Sequence, residues 1–297
     1  MYLILGASSF IGKHLYDYCK QNDIDVLGTY YSHSYNDEWV QFDMCVDDLV
    51  GFCEREIKGK FPEVVIICGA NTSIDGCKRN EYASNQLNVL GTKRIIDQAS
   101  EMSVKIVFLS SEAVFDGNKG LYSEEDAPNP ITLYGRQKLQ IEQYMIHHLQ
   151  DYLIFRMSRA SGSCYGKKDI FDEFYRKILN QEEIICLKNQ SFCLTEVEDI
   201  AEGIVKALER NLIGLYNLSS SNYISRFELA KLYAERLFGG YEKIVEKDYE
   251  NISFLDNRHV YGGLNGKKLA DLLEIHYMNL EEILSRYIIT YEEAMGQ

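Results

Sequence analysis

Short apolar runs alternate with amphipathic stretches through the first half of the chain, the pattern of strand–helix–strand units around a parallel sheet. Tyr2–Leu5, Ile24–Leu27, Val64–Cys68, Val104–Leu109 and Leu153–Phe155 have strand length, and their unbroken hydrophobicity suits strands covered on both faces. Between them, Ile11–Lys20 and Leu87–Ser100 read as helices. After Arg156 the rhythm changes, and residues 159 to about 194 mix aromatics, charges and cysteine with weak periodicity. Two helix starts follow, at Thr195 with Glu198 and at Ser225 with Glu228, each in the spacing of a capping box. The second precedes Phe227–Phe238, and later helices are expected at Lys267–Glu274 and Leu280–Tyr287. The pattern predicts an α/β fold: a doubly wound parallel sheet over 1–158, with 195–222 packing back on it, and a smaller α/β lobe over 159–297 that binds substrate.

Composition narrows the classes of function. With 46% hydrophobic and 26% charged residues the 297-residue chain has the balance of a packed globular protein, with disorder expected only at the extreme C-terminus. A formal charge of −14 argues against a nucleic-acid partner, although a local basic pocket can still hold a small anion. No stretch has the length of a membrane span, and no basic amphipathic helix or lipidation signal points to a membrane surface. The start, Tyr2–Leu5 without a basic flank, does not resemble a signal peptide, so a cytoplasmic location is expected. The cysteines at 19, 45, 53, 68, 77, 164, 186 and 193 form no CxxC pair and read as free, mostly buried thiols in a reducing compartment. The histidines are dispersed, and His147–His148 would point apart on a helix, so no metal site is expected.

Gly6–Ala7–Ser8–Ser9–Phe10–Ile11–Gly12 follows the first strand and opens the first helix. That placement offers a pyrophosphate both free backbone N–H groups and the positive end of a helix dipole. Gly6 makes the turn and Gly12 allows close packing of helix on strand. Ser9 stands where a three-glycine fingerprint has its middle glycine, and its Cβ narrows the approach of a phosphate. Asp43, after Val40–Gln41–Phe42, is a candidate for the adenine or its ribose edge; a solvated loop acid is the plainer reading. The second strand ends Gly28–Thr29–Tyr30–Tyr31–Ser32, with Thr29 counted among the cofactor contacts and no carboxylate to repel a 2′-phosphate. NADP(H) is therefore favoured, with NAD(H) as the alternative.

A Tyr-x-x-x-Lys spacing puts a phenol and an ammonium on one helical face. At ~5 Å and an effective dielectric of ~20 their attraction is about 3 kcal/mol, or about two pKa units toward neutrality for the phenol. Two such pairs occur. Tyr16/Lys20, in the first helix, reads as a solvated face. Tyr134/Lys138 follows Pro128–Asn129–Pro130 and a strand ending Leu109–Ser110–Ser111. Hydroxyls at the carboxyl end of a parallel strand sit where such sheets bind ligands. Ser111 could hold a substrate carbonyl against Tyr134, which donates the proton as hydride arrives.

Those residues resemble the extended short-chain dehydrogenase superfamily, and within it the dTDP-4-dehydrorhamnose reductase family. Ser110–Ser111–Glu112–Ala113–Val114–Phe115–Asp116–Gly117 is similar to that family's S-T-D-Y-V-F-D-G, and Leu133–Tyr134–Gly135–Arg136–Gln137–Lys138 to its L-Y-G-x-x-K. Pro62–Glu63–Val64–Val65–Ile66 with Gly69–Ala70–Asn71–Thr72 follows its P-D-V-V motif and cofactor loop, and Arg258 through Leu269 follows its late R-P-x-x-x-x-L-x-x-x-K-L segment. The resemblance implies a Rossmann-type domain, a Ser111–Tyr134–Lys138 triad and NAD(P)H-dependent reduction of a 4-keto group on a nucleotide-linked deoxysugar. It implies cofactor contacts at Ser9, Phe10, Ile11, Asp43, Met44, Gly69, Ala70 and Asn71, besides Tyr134 and Lys138. Family members can dimerise, so a homodimer is compatible with it.

Departures are Ser9 for glycine, His259 for the late proline, Leu194 for the proline before Thr195, and Arg159 where rhamnose-pathway members carry a substrate-facing Trp. Arg159 and Glu112 are substrate-contact candidates; the plain alternatives are an exposed arginine at the lobe boundary and a loop carboxylate holding backbone. Two other functions share these motifs. An epimerase or dehydratase of the superfamily is one, although related dehydratases carry Asp-Glu after the triad hydroxyl and this chain has Glu112–Ala113. The other is a regulatory binding subunit resembling the methionine adenosyltransferase β subunit.

Overall fold

The apolar runs become the strands of one parallel sheet, described in a computed structural model that covers residues 1–58, 60–162 and 169–295, with side chains of the last helix described to residue 289. The first half runs β1 (Tyr2–Leu5), α1 (Phe10–Gln21), β2 (Val26–Tyr30), β3 (Val40–Gln41), α2 (Leu49–Glu56), β4 (Val64–Ile67), α3 (Ile74–Arg79), α4 (Glu81–Asn85), α5 (Thr92–Glu101), β5 (Lys105–Ser111), α6 (Leu133–His148) and β6 (Tyr152–Met157). The second half adds β7 (Arg159–Ser161), α7 (Ile170–Leu179), β8 (Ile184–Leu187), β9 (Ser191–Glu196), α8 (Val197–Glu209), β10 (Gly214–Asn217), β11 (Tyr223–Ser225), α9 (Arg226–Phe238), β12 (Ile244–Lys247), α10 (Lys267–Leu273) and α11 (Leu280–Met295).

The main sheet has seven strands in the order β10-β6-β5-β4-β1-β2-β3, every pairing parallel. This is the Rossmann-type arrangement. Side chains alternate between its two faces as strand geometry requires. Ile4, Val64, Ile66, Val107, Leu109, Leu153 and Phe155 enter one core, under α1, α8 and α10. Leu3, Leu5, Val65, Ile67, Ile106, Phe108 and Ile154 enter the other, under α2, α5 and α6. Both faces are covered, which is why the strands read as continuous hydrophobic runs. Truncating a fully buried residue here, such as Leu3, costs about 2–5 kcal/mol.

The chain crosses between the two parts more than once. β10 joins the outer edge of the main sheet, and Ile200, Ile204 and Leu208 of α8 pack in its first core with Leu15 of α1. Leu269, Leu273 and Ile275 lie in that core too, so part of the expected 159–297 lobe belongs to the sheet domain. What remains of the lobe is a three-stranded sheet, β11-β9-β7, and a parallel pair, β12-β8, around a third core in which Phe171, Phe174, Tyr233 and Tyr287 are buried.

Several expectations shift. β2 starts two residues later than Ile24, because Asp23 turns the chain at φ 55° and Ile24 closes the helix end through its N–H to the Cys19 carbonyl. The helix expected from Leu87 begins as a π-helical turn, Gln86–Gly91, before α5. The Thr195 capping box does not form. Thr195 lies in β9 opposite Ala160, its hydroxyl accepts from the Ser220 N–H, and α8 starts after Glu196 without a side-chain cap. The Ser225 box forms in both directions. Tyr16 is not on a solvated face: it is 2% exposed, edge-on to Trp39, and donates to Glu38, which Lys20 also pairs.

Among the described residues seven cysteines are free; Cys19, Cys53, Cys77, Cys186 and Cys193 are buried as expected, Cys68 is half-buried and Cys45 is exposed. Cys164 and the last two residues lie outside the described residues. Among the described residues no helix is long and apolar enough to cross a membrane, and no group of three or more potential ligand side chains could hold a metal ion.

Candidate active site

Strand order reverses at β1, which has β2 on one side and β4 on the other, so the turns after β1 and β4 face each other at the carboxyl edge of the sheet. Backbones nearly touch there. Gly6 has φ +85°, and a Cβ on it would come within 2.6 Å of the Gly69 nitrogen. A Cβ on Gly12 would meet the Gly6 carbonyl at 2.3 Å, so helix α1 can seat against the turn only with glycine in that place. Thr29 is buried beneath the turn; its hydroxyl accepts from the Gly6 N–H and donates to the Ile4 carbonyl, fixing the turn from below.

Ser9 is the N-cap of α1, and its hydroxyl accepts from the Gly12 N–H. The serine in the middle-glycine place is therefore turned into its own helix. The N–H groups of Phe10 and Ile11, in the first turn, have no intrahelical acceptor. With the dipole end, they form a cradle that fits one pyrophosphate of a dinucleotide. Gly69 and Ala70 stand across from it, and the Met44 sulfur closes the space beside Gly69. Asn71 is held through its N–H and carbonyl by the side chain of Asn88, which rises from the π-helical turn and also donates to Gln137. Asn88 thus ties the loop after β4 to α6. Asp43 spends Oδ1 on the Cys45 N–H, shaping its own loop just after β3.

Ser111 ends β5, and Thr132 caps α6 by accepting from the Gly135 N–H at 2.9 Å. The two elements meet at Gly135, where a Cβ would fall 1.9 Å from the Ala113 carbonyl. This contact places Tyr134 over Ser111, and both line one cavity of 360 Å³ with Lys138, Ser9, Phe10, Ile11 and Ala70. The Lys138 ammonium lies 5.8 Å from the centre of the Tyr134 ring and donates to the Leu109 carbonyl at 2.7 Å.

The electrostatics differ from the expectation for a Tyr–Lys pair. Burial pushes the Tyr134 phenol up, against a hydrogen bond with Ser111 that pulls it down. Burial also lowers Lys138 to about 8, opposed by Cys68 and by Glu142 one turn along α6. Desolvation is the largest influence on both groups, and the phenol keeps its proton. Behind them Glu142 and Arg156 form a buried ion pair at 2.7 Å, and Ser110 donates to the same carboxylate. Removing one member would leave a buried charge alone, a loss of about 3–5 kcal/mol.

Glu112 lines the same cavity, but its Oε2 accepts from Ser158 Oγ at 2.6 Å and from the Gly263 N–H at 2.5 Å. It clasps the late segment to the end of β6. Arg159 opens onto this cavity and onto two adjoining ones, of 940 and 420 Å³. The sequence alone did not single out Ile74, Met157, Ser158 or Ala160, which complete the wall. His259 also lines it, with Nε2 against the Phe115 carbonyl, and its only trace in the sequence was a departure from the late proline.

Comparison with known proteins gives a consistent picture. The family model described as RmlD substrate binding domain matches residues 1–292. A dTDP-4-dehydrorhamnose reductase of Sinorhizobium fredii is 28% identical over 251 residues, 78% of this chain and 81% of that protein. The methionine adenosyltransferase 2 subunit beta of Xenopus tropicalis is 26% identical over 245 residues, 78% of this chain and 71% of its own. The crystal structure of a hypothetical dTDP-4-dehydrorhamnose reductase from Sulfolobus tokodaii superposes with a TM-score of 0.80 at 26% identity, covering 96% of this chain and 98% of that one.

Proposed function

The chain belongs to the RmlD substrate binding domain family, and on that premise we propose that it is an NAD(P)H-dependent reductase of the 4-keto group of a nucleotide-linked deoxysugar. The observation that carries this reading is the meeting of Ser111, Tyr134 and Lys138 in one cavity with the first turn of α1. The cofactor, when bound, supplies hydride to the carbonyl carbon. Ser111 Oγ and the Tyr134 hydroxyl hold the carbonyl oxygen, and Tyr134 gives it a proton. The tyrosinate left behind faces Lys138, whose charge at ~6 Å offsets about 3 kcal/mol of its cost at an effective dielectric of ~20. A phenol pushed up by burial is protonated at neutral pH, the state a proton donor needs.

The fit of the cofactor rests on the Gly6/Gly69 contact and the capped start of α1. NADPH is favoured over NADH. No carboxylate stands at Tyr30–Ser34 after β2, where hydrogen-bonded Ser32 and His33 are available to a 2′-phosphate. The free thiols suit a reducing cytosol. Glu112, engaged by Ser158 and Gly263, is poorly placed as the extra base that water elimination needs, which speaks against a dehydratase.

The direct test is NADPH oxidation followed with a panel of 4-keto nucleotide sugars; turnover of at least one is expected. The similarity to methionine adenosyltransferase subunits favours one other reading, a dinucleotide-binding regulatory subunit. Cofactor binding without turnover of any sugar in the panel would select that reading.

A further inference from the structure

Among the described residues, most charged groups around the cavity of Ser111, Tyr134 and Lys138 have a protein partner. Arg226 pairs with Glu173 at 2.7 Å and Arg258 with Asp75 at 2.8 Å. Glu112 is held by Ser158 and Gly263, and Asp169 caps α7 by accepting from Phe171 and Asp172 while also accepting from Gly162. Arg159 has no salt bridge among the described residues; its guanidinium lies over the Phe192 ring, 5.2 Å from the centre. Crowding by the surrounding protein and then the nearby Arg226 weigh against its charge, while Glu112, Glu173 and Asp169 favour it. The side chain is exposed to the open cleft, so its charge stays available to an anionic group of a bound ligand.

The position of Arg159 says where that anion sits. Arg226 and Arg258 line the 420 Å³ cavity but not the catalytic one, whereas Arg159 lines both, beside Met157, Ser158 and Ala160 and facing the wall that holds Ser111 and Tyr134. A ligand reacting at Tyr134 therefore brings its nearest substituents, not its distant diphosphate, to Arg159. We propose that Arg159 is a specificity-determining residue that binds an oxyanion on the sugar itself, a carboxylate on the ring carbon next to the reacting carbonyl. The inference rests on the nucleotide-sugar reading of the site and departs from it at C6 alone, where a carboxylate takes the place of the methyl group of a neutral 6-deoxy sugar. A planar guanidinium suits this role because it can pair both carboxylate oxygens at once.

The test is calorimetric titration of the NADP-loaded full-length protein with matched pairs, UDP-glucose against UDP-glucuronate and dTDP-glucose against dTDP-glucuronate. The members of each pair differ at C6 alone. The uronate is expected to bind roughly 10- to 100-fold tighter. Arg159→Met should bring the two within about twofold while NADP affinity and thermal midpoint stay put, and Arg159→Lys should keep part of the preference. Equal affinity of both sugars for the unaltered protein overturns the proposal and leaves the nucleotide-sugar reading standing. So does an Arg159→Met variant that weakens both sugars alike, since Arg159 would then be touching the shared diphosphate. If neither sugar of either pair binds while NADP does, the nucleotide-sugar reading fails and this inference falls with it.

Discussion

Replacing Gly135 by alanine tests the contact that assembles the site, and local propensity and tertiary structure disagree about its sign. Gly135 lies in the first turn of α6, where alanine is ordinarily better by about 1 kcal/mol. Here the new methyl would lie 1.9 Å from the Ala113 carbonyl oxygen, a backbone atom that cannot swing away. Relief to an ordinary contact needs about 1.3 Å of separation between α6 and the turn after β5. Overpacking of that kind costs about 1–3 kcal/mol, enough to cancel or reverse the helical gain. The same movement carries Tyr134 away from Ser111, and a displacement of about 1 Å at reacting groups costs about 100-fold in rate. Urea unfolding and NADPH-dependent turnover read the two effects separately, and fluorescence titration should find cofactor affinity nearly unchanged. A Gly135→Ala protein that is as stable as the original, or more so, with full turnover would refute the reasoning.

Tyr134→Phe should lower turnover at least 100-fold with cofactor affinity kept, as general-acid contributions run to about 10²–10⁴; unchanged turnover would remove the phenol from the chemistry. With Lys138 lowered to about 8 by burial, its charge is present below that pH and lost above it. The rate of reduction should therefore fall as pH rises through about 8, and a profile flat to pH 9.5 would count against the assignment. Asp199 accepts from the Met278 N–H and is raised to about 6, first by burial and then by Glu202 and Glu198. The native state thus holds a proton that the unfolded chain gives up near pH 4. Stability should drop by about 1–3 kcal/mol as pH rises from 4 to 6, and Asp199→Asn should show a visibly shallower slope in urea titrations across that range. Ser32→Asp should disfavour NADPH relative to NADH, and an unaltered affinity ratio would place the 2′-site elsewhere.

How much could be read in advance depended on distance along the chain. Tyr134 and Lys138 sit one helical turn apart, and Ser111 ends a strand whose apolar run is plain, so their shared placement was legible. The Gly6–Gly12 turn was legible because its chemistry is contained in seven successive residues. Thr195 shows the limit: its spacing from Glu198 fits a capping box, yet pairing with Ala160 and the Ser220 N–H holds it in a strand. Tyr16 likewise left the expected surface because Trp39, 23 positions on, packs against it.

The sequence by itself determined the parallel sheet, the glycine-bounded turn after β1 and the phenol–ammonium pair, because periodicity, capping and i to i+4 geometry act over a few residues. Only the tertiary structure decided the protonation of that pair, the tying of Glu112 to Gly263 and the position of Arg159 at the junction of three cavities. Those outcomes depend on desolvation and on partners up to 151 positions away, and burial becomes a property of a residue only when the whole chain has closed around it.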